Sequence, residues 1–195
     1  MKKILFILVF TGLLFQSFTK IPENISTEEK LYIQIDAVKK VIGSDSKYNK
    51  EIAFFIDMEI VSGKNRFFIY DLKNKVIIDQ GLVAHGIGSE TRIKGKLKFS
   101  NVNNSYCTSL GNYSVGKYYS GEYGKAYKLY GLDETNSNAF VRNIVLHSSQ
   151  KVPFIEQDKN IVNSLGCPMV NELYFKKIEK LLDTSKTNII LSIYN

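Results

Sequence analysis

Residues 52–84 read IAFFIDMEIVSGKNRFFIYDLKNKVIIDQGLVA, four apolar and β-branched runs parted by turn-forming residues. The runs are Ile52 to Ile60, Phe67 to Tyr70, Val76 to Ile78 and Leu82 to Ala84, and Ser62-Gly63-Lys64-Asn65 and Asp71-Leu72-Lys73-Asn74 separate the first three. Short runs with such breaks are strands of a meander or hairpin set, so the stretch predicts a mostly antiparallel sheet. Arg142 to Leu146 (RNIVL) reads as a further buried strand ending in His147, and Asn188 to Tyr194 as a closing one.

Helices flank these strands. Ser26-Thr27-Glu28-Glu29 has the S-x-x-E pattern of a capping box, and Leu31, Ile35, Val38 and Ile42 recur at helical spacing up to Gly43. Asn171 to Asp183 (NELYFKKIEKLLD) reads as a second helix with Asn171 as N-cap. Between Gly86 and Asn138 glycines and tyrosines are dense and periodicity is weak, which predicts long loops and short strands closing over a site.

The N-terminus has another character. Met1-Lys2-Lys3 precedes Ile4 to Phe15, an uncharged, almost wholly apolar run of 12 residues, and the polar segment from Gln16 to Lys20 follows. This is the pattern of an export signal over residues 1–19, with an apolar run short for a membrane span. An uncleaved segment would act as a membrane anchor. The expected organisation is therefore a signal peptide at 1–19, a helical segment at 20–50 and a β-rich folded domain at 51–195. The expected location is outside the cytosol, in the periplasm or cell envelope.

Composition limits the classes. The 195 residues are 44% hydrophobic and 12% aromatic, which provides a real core and excludes a disordered chain. Charge is 26 − 19 = +7 and falls to 24 − 19 = +5 without Lys2 and Lys3, a diffuse excess suited to an anionic envelope polymer or lipid surface. Nothing points to nucleic acid, since there is no Trp, no basic helix and no zinc-ligand cluster, and Lys94-Gly95-Lys96-Leu97-Lys98 reads as a solvated hairpin.

Chemistry concentrates in few residues. Cys167 lies in Ser164-Leu165-Gly166-Cys167-Pro168, a turn whose amides at Leu165, Gly166 and Cys167 can face inward together. The two histidines, His85 and His147, each end an apolar run where a loop begins. A cysteine with strand-end histidines in a glycine-rich setting suggests a thiol enzyme. A metal site is the competing use, but the nearest pair, His147 and Cys167, is 20 positions apart and no paired ligand spacing supports it, so no metal and no cofactor are expected.

Several motifs agree in order: Ala84-His85-Gly86-x-Gly88-Ser89, Phe99-Ser100-Asn101, Ser109-Leu110-Gly111 with Tyr113, Tyr119-x-Gly121-x-x-Gly124, Leu129-x-Gly131-Leu132, Asn138-Ala139, Arg142-x-Ile144-Val145-x-His147 and Ser164-x-Gly166-Cys167-Pro168. Together they resemble the L,D-transpeptidase catalytic domain of bacterial cell-wall enzymes, the YkuD-like fold, and especially its exported subgroup. The resemblance implies a mainly β fold, a β-sandwich or barrel with flanking helices. It implies Cys167 as nucleophile, His147 as its base, the Ser148 carbonyl holding the imidazole, and amides around Gly166 as oxyanion hole. Ser164 would support the turn, with Leu165 beside it, and His85, Tyr119 and Gly121 would line the donor-stem side.

Departures from the family pattern are Leu165 where His is usual, Met169 where Asn is common, and Asn163 where the exported subgroup often has Arg. Arg142, Arg92 or a lysine would then have to meet a substrate carboxylate. The implied activity is a monomeric transpeptidase acting on peptidoglycan stem peptides through a thioester, releasing D-alanine and forming 3-3 cross-links. The alternatives are an L,D-carboxypeptidase cutting the same bond and a cell-wall binding domain without turnover. An oxidised Cys107–Cys167 pair would favour the last.

Overall fold

The computed structural model describes residues 25–121 and 124–195. The leader expected at 1–19 lies outside the described residues. Within them, no helix is long and apolar enough to cross a membrane.

Nine strands form one mixed sheet. In chain order they are β1 (Tyr48–Asp57), β2 (Phe67–Asp71), β3 (Val76–Gly81), β4 (Val83–Ala84), β5 (Gly111–Gly121), β6 (Gly124–Gly131), β7 (Val145–Ser148), β8 (Met169–Val170) and β9 (Asn188–Tyr194). Their spatial order is β3-β2-β1-β9-β5-β6-β7-β8-β4, with β3 and β4 as the edges, so the sheet does not close into a barrel. The pairings are antiparallel except β1 with β9 and β7 with β8.

The central strands are buried on both faces, which is why their sequences read as continuous apolar runs rather than alternations. On one face Phe54, Ile56, Leu191 and Ile193 pack with Tyr174, Phe175 and Ile178 of α2 (Glu172–Thr184). On the other Ala53, Phe55 and Ile190 pack with Leu31, Ile35, Val38 and Ile42 of α1 (Thr27–Ser44). Burying each of those four side chains contributes about 1.5–3 kcal/mol before entropy is counted. Helix α1 begins with the expected reciprocal capping box between Ser26 and Glu29, and Asn171 caps α2 through the Leu173 amide at 2.8 Å.

Two expectations need correction. Residues 86–138 hold the expected long loop, over 90–110, but their strands are not short, because β5 and β6 form a hairpin of 11 and 8 residues. Glycines at 111, 121, 124 and 131 stand at the ends of these strands, so the glycine density marks their limits. The strand expected at Arg142 to Leu146 runs instead over Val145–Ser148, because Asn143 takes a left-handed φ of 55° and Arg142 to Ile144 form turns. That shift carries His147 and Ser148 into the strand.

Candidate active site

Strand β7 is the platform. It lies between β6 and β8 in the register Ala126 to His147 and His147 to Met169. Since Tyr119 pairs with Ala126, one row crosses four strands: Tyr119, Ala126, His147 and Met169. Paired residues share a face, and the other face of β6 and β7 carries Tyr127, Leu129 and Leu146 into the core. The row through His147 therefore belongs to the face opposite that core.

Cys167 comes two residues before β8, and its half-buried thiol is placed against the turn that leads into β7. The Val145 amide points at Sγ from 3.5 Å, and Sγ faces the Asn143 carbonyl at 3.7 Å. His147 is two residues, or about 7 Å of extended chain, beyond Val145. Its Nδ1 donates to the Ser148 carbonyl at 3.2 Å, which assigns the neutral ring's lone pair to Nε2. Burial pushes the Cys167 thiol up, opposed by the Val145 hydrogen bond and the positive charges of Arg142 and Lys128. Burial also pushes His147 down, opposed by the Ser148 carbonyl. Both directions favour the neutral thiol and neutral imidazole at rest.

The cysteine turn is fastened from three sides. The Ser164 hydroxyl donates to the Cys167 carbonyl at 2.6 Å and accepts from the Gly166 amide at 3.2 Å. Gly166 has φ +118°, and a Cβ there would lie 3.0 Å from the Cys107 carbonyl oxygen. The Ser164 amide donates to the His85 carbonyl at 2.9 Å and its carbonyl accepts from Ile87 at 2.8 Å. Gly86 is equally constrained, for a Cβ there would lie 2.7 Å from Gly166 Cα. Leu165, by contrast, is exposed at the tip of the turn.

His85 is 2% exposed and held at both ring nitrogens. Arg66 Nη2 donates to Nδ1 at 2.9 Å, so Nε2 carries the proton and donates to Glu90 Oε1 at 2.8 Å. Arg66, also buried, binds the Val83 carbonyl through Nε at 3.0 Å and Nη2 at 2.7 Å, and burial brings its pKa down to about 10. The fixed ring anchors the residue whose carbonyl holds the Ser164 amide of the cysteine turn.

Arg142 spans the loop over 100–109. Nη1 donates to the Ser100 carbonyl at 2.9 Å and Ser109 Oγ at 3.1 Å, and Nη2 to the Cys107 carbonyl at 2.6 Å and Ser105 Oγ at 3.3 Å. The loop's Cys107 carbonyl is also the atom against Gly166, so Arg142 braces the cysteine turn through it. Both cysteines are free thiols, and buried Cys107 donates to the Gly88 carbonyl at 3.0 Å.

The structure thus brings Cys167, Ser164, Gly166 and Arg142 to the entry of β7, with His85 bonded to the cysteine turn through its carbonyl, and places His147 and Ser148 at the strand's exit. Tyr119 joins through the row across the sheet, whereas Gly121 lies beyond it at the end of β5. Sequence reasoning missed Asn143, Lys128, Arg66 and Glu90. The one available signal was alternation in β6, where Ala126, Lys128 and Tyr130 fall on one face. Among the described residues, no group of three or more His, Cys, Asp and Glu could hold a metal ion.

This open sheet, with a cysteine turn abutting a strand that carries a histidine, defines a thiol-enzyme scaffold. The chain belongs to the L,D-transpeptidase catalytic domain family, whose profile matches residues 23–194. A search of curated proteins returns no match. Among solved structures, an L,D-transpeptidase from Xylanimonas cellulosilytica is 15% identical, with a TM-score of 0.40 over 75% of this chain and 61% of that one. The helical cell shape determining protein Pgp2 from Campylobacter jejuni is 11% identical, with a TM-score of 0.46 over 83% of this chain and 55% of that one. An L,D-transpeptidase from Mycobacterium smegmatis is 9% identical, with a TM-score of 0.40 over 73% and 58%. The chain spans less than two thirds of each of these structures.

Proposed function

We propose that the protein is an exported, cysteine-dependent L,D-transpeptidase of peptidoglycan. The observation that carries this reading is the thiol of Cys167 at the entry of β7 with His147, its tautomer set by Ser148, at the exit. Cys167 gives its proton to His147 Nε2, directly or through one water, and Sγ attacks the carbonyl of the third residue of a murein tetrapeptide. The Cys167 amide, with that of Leu165, stabilises the tetrahedral oxyanion, the Gly166 amide being engaged by Ser164. The C–N bond breaks, D-alanine leaves with the proton from His147, and a thioester remains. An amine of a second stem then attacks, His147 takes its proton, and the returned thiolate is reprotonated, giving a 3-3 cross-link. Action on such stems requires export, which residues 1–19 would direct.

The test is mass spectrometry of murein tetrapeptides incubated with the mature protein and with Cys167→Ala. A Cys167-dependent dimer lacking one D-alanine supports transpeptidation. A tripeptide moves the reading to a carboxypeptidase, and no change with folded, reduced protein moves it to a wall-binding domain.

A further inference from the structure

Residues 90–98 fold back on themselves into an ordered hairpin. Glu90 bridges Leu97, and the Lys98 amide donates to the Ser89 carbonyl at 2.9 Å. The tip is a β-turn closed by the Lys96 amide on the Ile93 carbonyl at 3.0 Å, with Gly95 at φ +77° in its third position. The Thr91 hydroxyl accepts from the Ile93 amide at 3.1 Å and donates to the Lys96 carbonyl at 2.7 Å. Leu97 packs against the main core and ties the hairpin to the fold, while Arg92, Ile93, Lys94, Lys96 and Lys98 are exposed.

The charge excess is concentrated here. These four cations supply +4 of the net +5 carried by residues 20–195. Among the described residues none of the four makes an ion pair, and none of their side chains donates a hydrogen bond. The carboxylate at the foot of the hairpin, Glu90, is engaged by His85 Nε2 at 2.8 Å and Asn163 Nδ2 at 3.4 Å. Like charges held well within a Debye length repel one another, and an anionic surface shared by all four relieves that cost.

Amid these cations Ile93 is 61% exposed, although Leu97 of the same hairpin is packed inward. One exposed aliphatic side chain is ordinary on a protein surface, but inside a group of unpaired cations it matches one kind of partner. A soluble phosphate polymer is polar throughout and offers Ile93 nothing. An anionic lipid surface has phosphates outside and hydrocarbon beneath, so it uses the cations and the apolar side chain together.

We infer that the 90–98 hairpin docks the protein on an anionic lipid surface, with Ile93 entering the headgroup boundary and Arg92, Lys94, Lys96 and Lys98 meeting lipid phosphates. The contact of Glu90 with Asn163, the residue before Ser164, places the cysteine turn beside the docked hairpin. Docking does not depend on turnover, so it stands or falls apart from the transpeptidase reading.

The experiment uses the protein without residues 1–19, which precede every described element, so that the apolar leader does not itself bind lipid. Co-sedimentation is expected with vesicles of phosphatidylglycerol and phosphatidylcholine, not with phosphatidylcholine alone, and should weaken as salt is raised. Lys94→Gln, Lys96→Gln and Lys98→Gln combined should lower the partition by about 30- to 100-fold, and Lys94→Arg, Lys96→Arg and Lys98→Arg combined should preserve it. Ile93→Ser should lower it by about tenfold while leaving binding to inorganic polyphosphate, measured by calorimetry, unchanged. The chain has no tryptophan, so Ile93→Trp supplies a single reporter whose emission should move to shorter wavelength on the mixed vesicles and stay in place with polyphosphate. Melting temperatures equal to that of the wild type establish that the variants are folded. No sedimentation of the wild type with the mixed vesicles, or sedimentation unaltered by loss of the three lysines, overturns the proposal. Wild-type vesicle binding by Ile93→Ser, or an unshifted tryptophan emission on the mixed vesicles, overturns it in favour of a soluble polyanion.

Discussion

Ser164 and Cys167 close a ring across the nucleophile turn, the serine hydroxyl donating to the cysteine carbonyl at 2.6 Å while accepting from the Gly166 amide at 3.2 Å. Both bonds fix the Cys167 backbone, and Ser164 is buried, so water cannot readily replace its hydroxyl. Ser164→Ala should destabilise the fold by about 1–3 kcal/mol, the cost of leaving a buried donor and acceptor unmade. Turnover should fall about 10- to 100-fold because the thiol and its oxyanion donors lose their shared anchor. Thermal unfolding and steady-state kinetics read the two effects separately. A variant with normal stability and full turnover would remove Ser164 from the positioning of Cys167.

Arg142 poses a sharper case because its planar fork serves four acceptors on one loop. Lysine keeps the charge and loses the fork. Arg142→Lys should therefore behave nearly as badly as Arg142→Met, each costing about 2–4 kcal/mol in stability. The loop should become a preferred site of limited proteolysis. Full rescue by lysine would show that charge near Cys167, rather than the span to the loop, is what Arg142 supplies.

The same comparison explains what could be read from the chain alone. The runs at Ile52 to Ala84 exposed the sheet because β1 and β2 are buried on both faces and carry few polar interruptions. Cys167 and His147 were legible because reactive side chains at the ends of apolar runs are uncommon. The hairpin of β5 and β6 was not, since Gly116, Lys117, Tyr118 and Ser120 are polar, small or exposed and disguise the period of two. His85 was readable as a special residue but its partners Arg66 and Glu90 were not, because folding brings them to it across 19 and 5 positions. Lys128 was hidden for the same reason, since its partner Asn143 lies 15 residues away.

The resting thiol offers a direct chemical reading. Burial pushes Cys167 up and His147 down, so the free enzyme should hold a protonated thiol rather than a preformed thiolate–imidazolium pair. Alkylation by iodoacetamide, measured by mass at Cys167, should be slow at neutral pH and still rise beyond the ordinary thiol value of 9.0. Cys107, which is 3% exposed, should remain unlabelled in the folded protein. A rate plateau reached in weak acid would instead reveal a preformed ion pair.

Acid should weaken the fold through its two histidines, and the sign follows from the direction of their shifts. His85 is lowered by burial and then by Arg66, and His147 by burial, each from an ordinary value of 6.5. As pH falls below 6.5 the unfolded chain takes up these protons first, so stability present above that value is lost toward the lower folded pKa values. Asp57 acts in the opposite sense, since burial pushes its carboxyl up from 3.8, and its contribution is greatest in acid and declines as pH rises through that raised value. The histidine effect is isolated by comparing wild type with His85→Gln and His147→Gln. Between pH 7.5 and 5 the wild-type melting temperature should fall more steeply than that of either variant. Glutamine at position 85 should remove the larger part, because His85 must otherwise charge while facing the buried Arg66 guanidinium at 2.9 Å. Parallel melting curves across that range would mean that both imidazoles accept protons in place, against the neutral state assigned to His147 at rest.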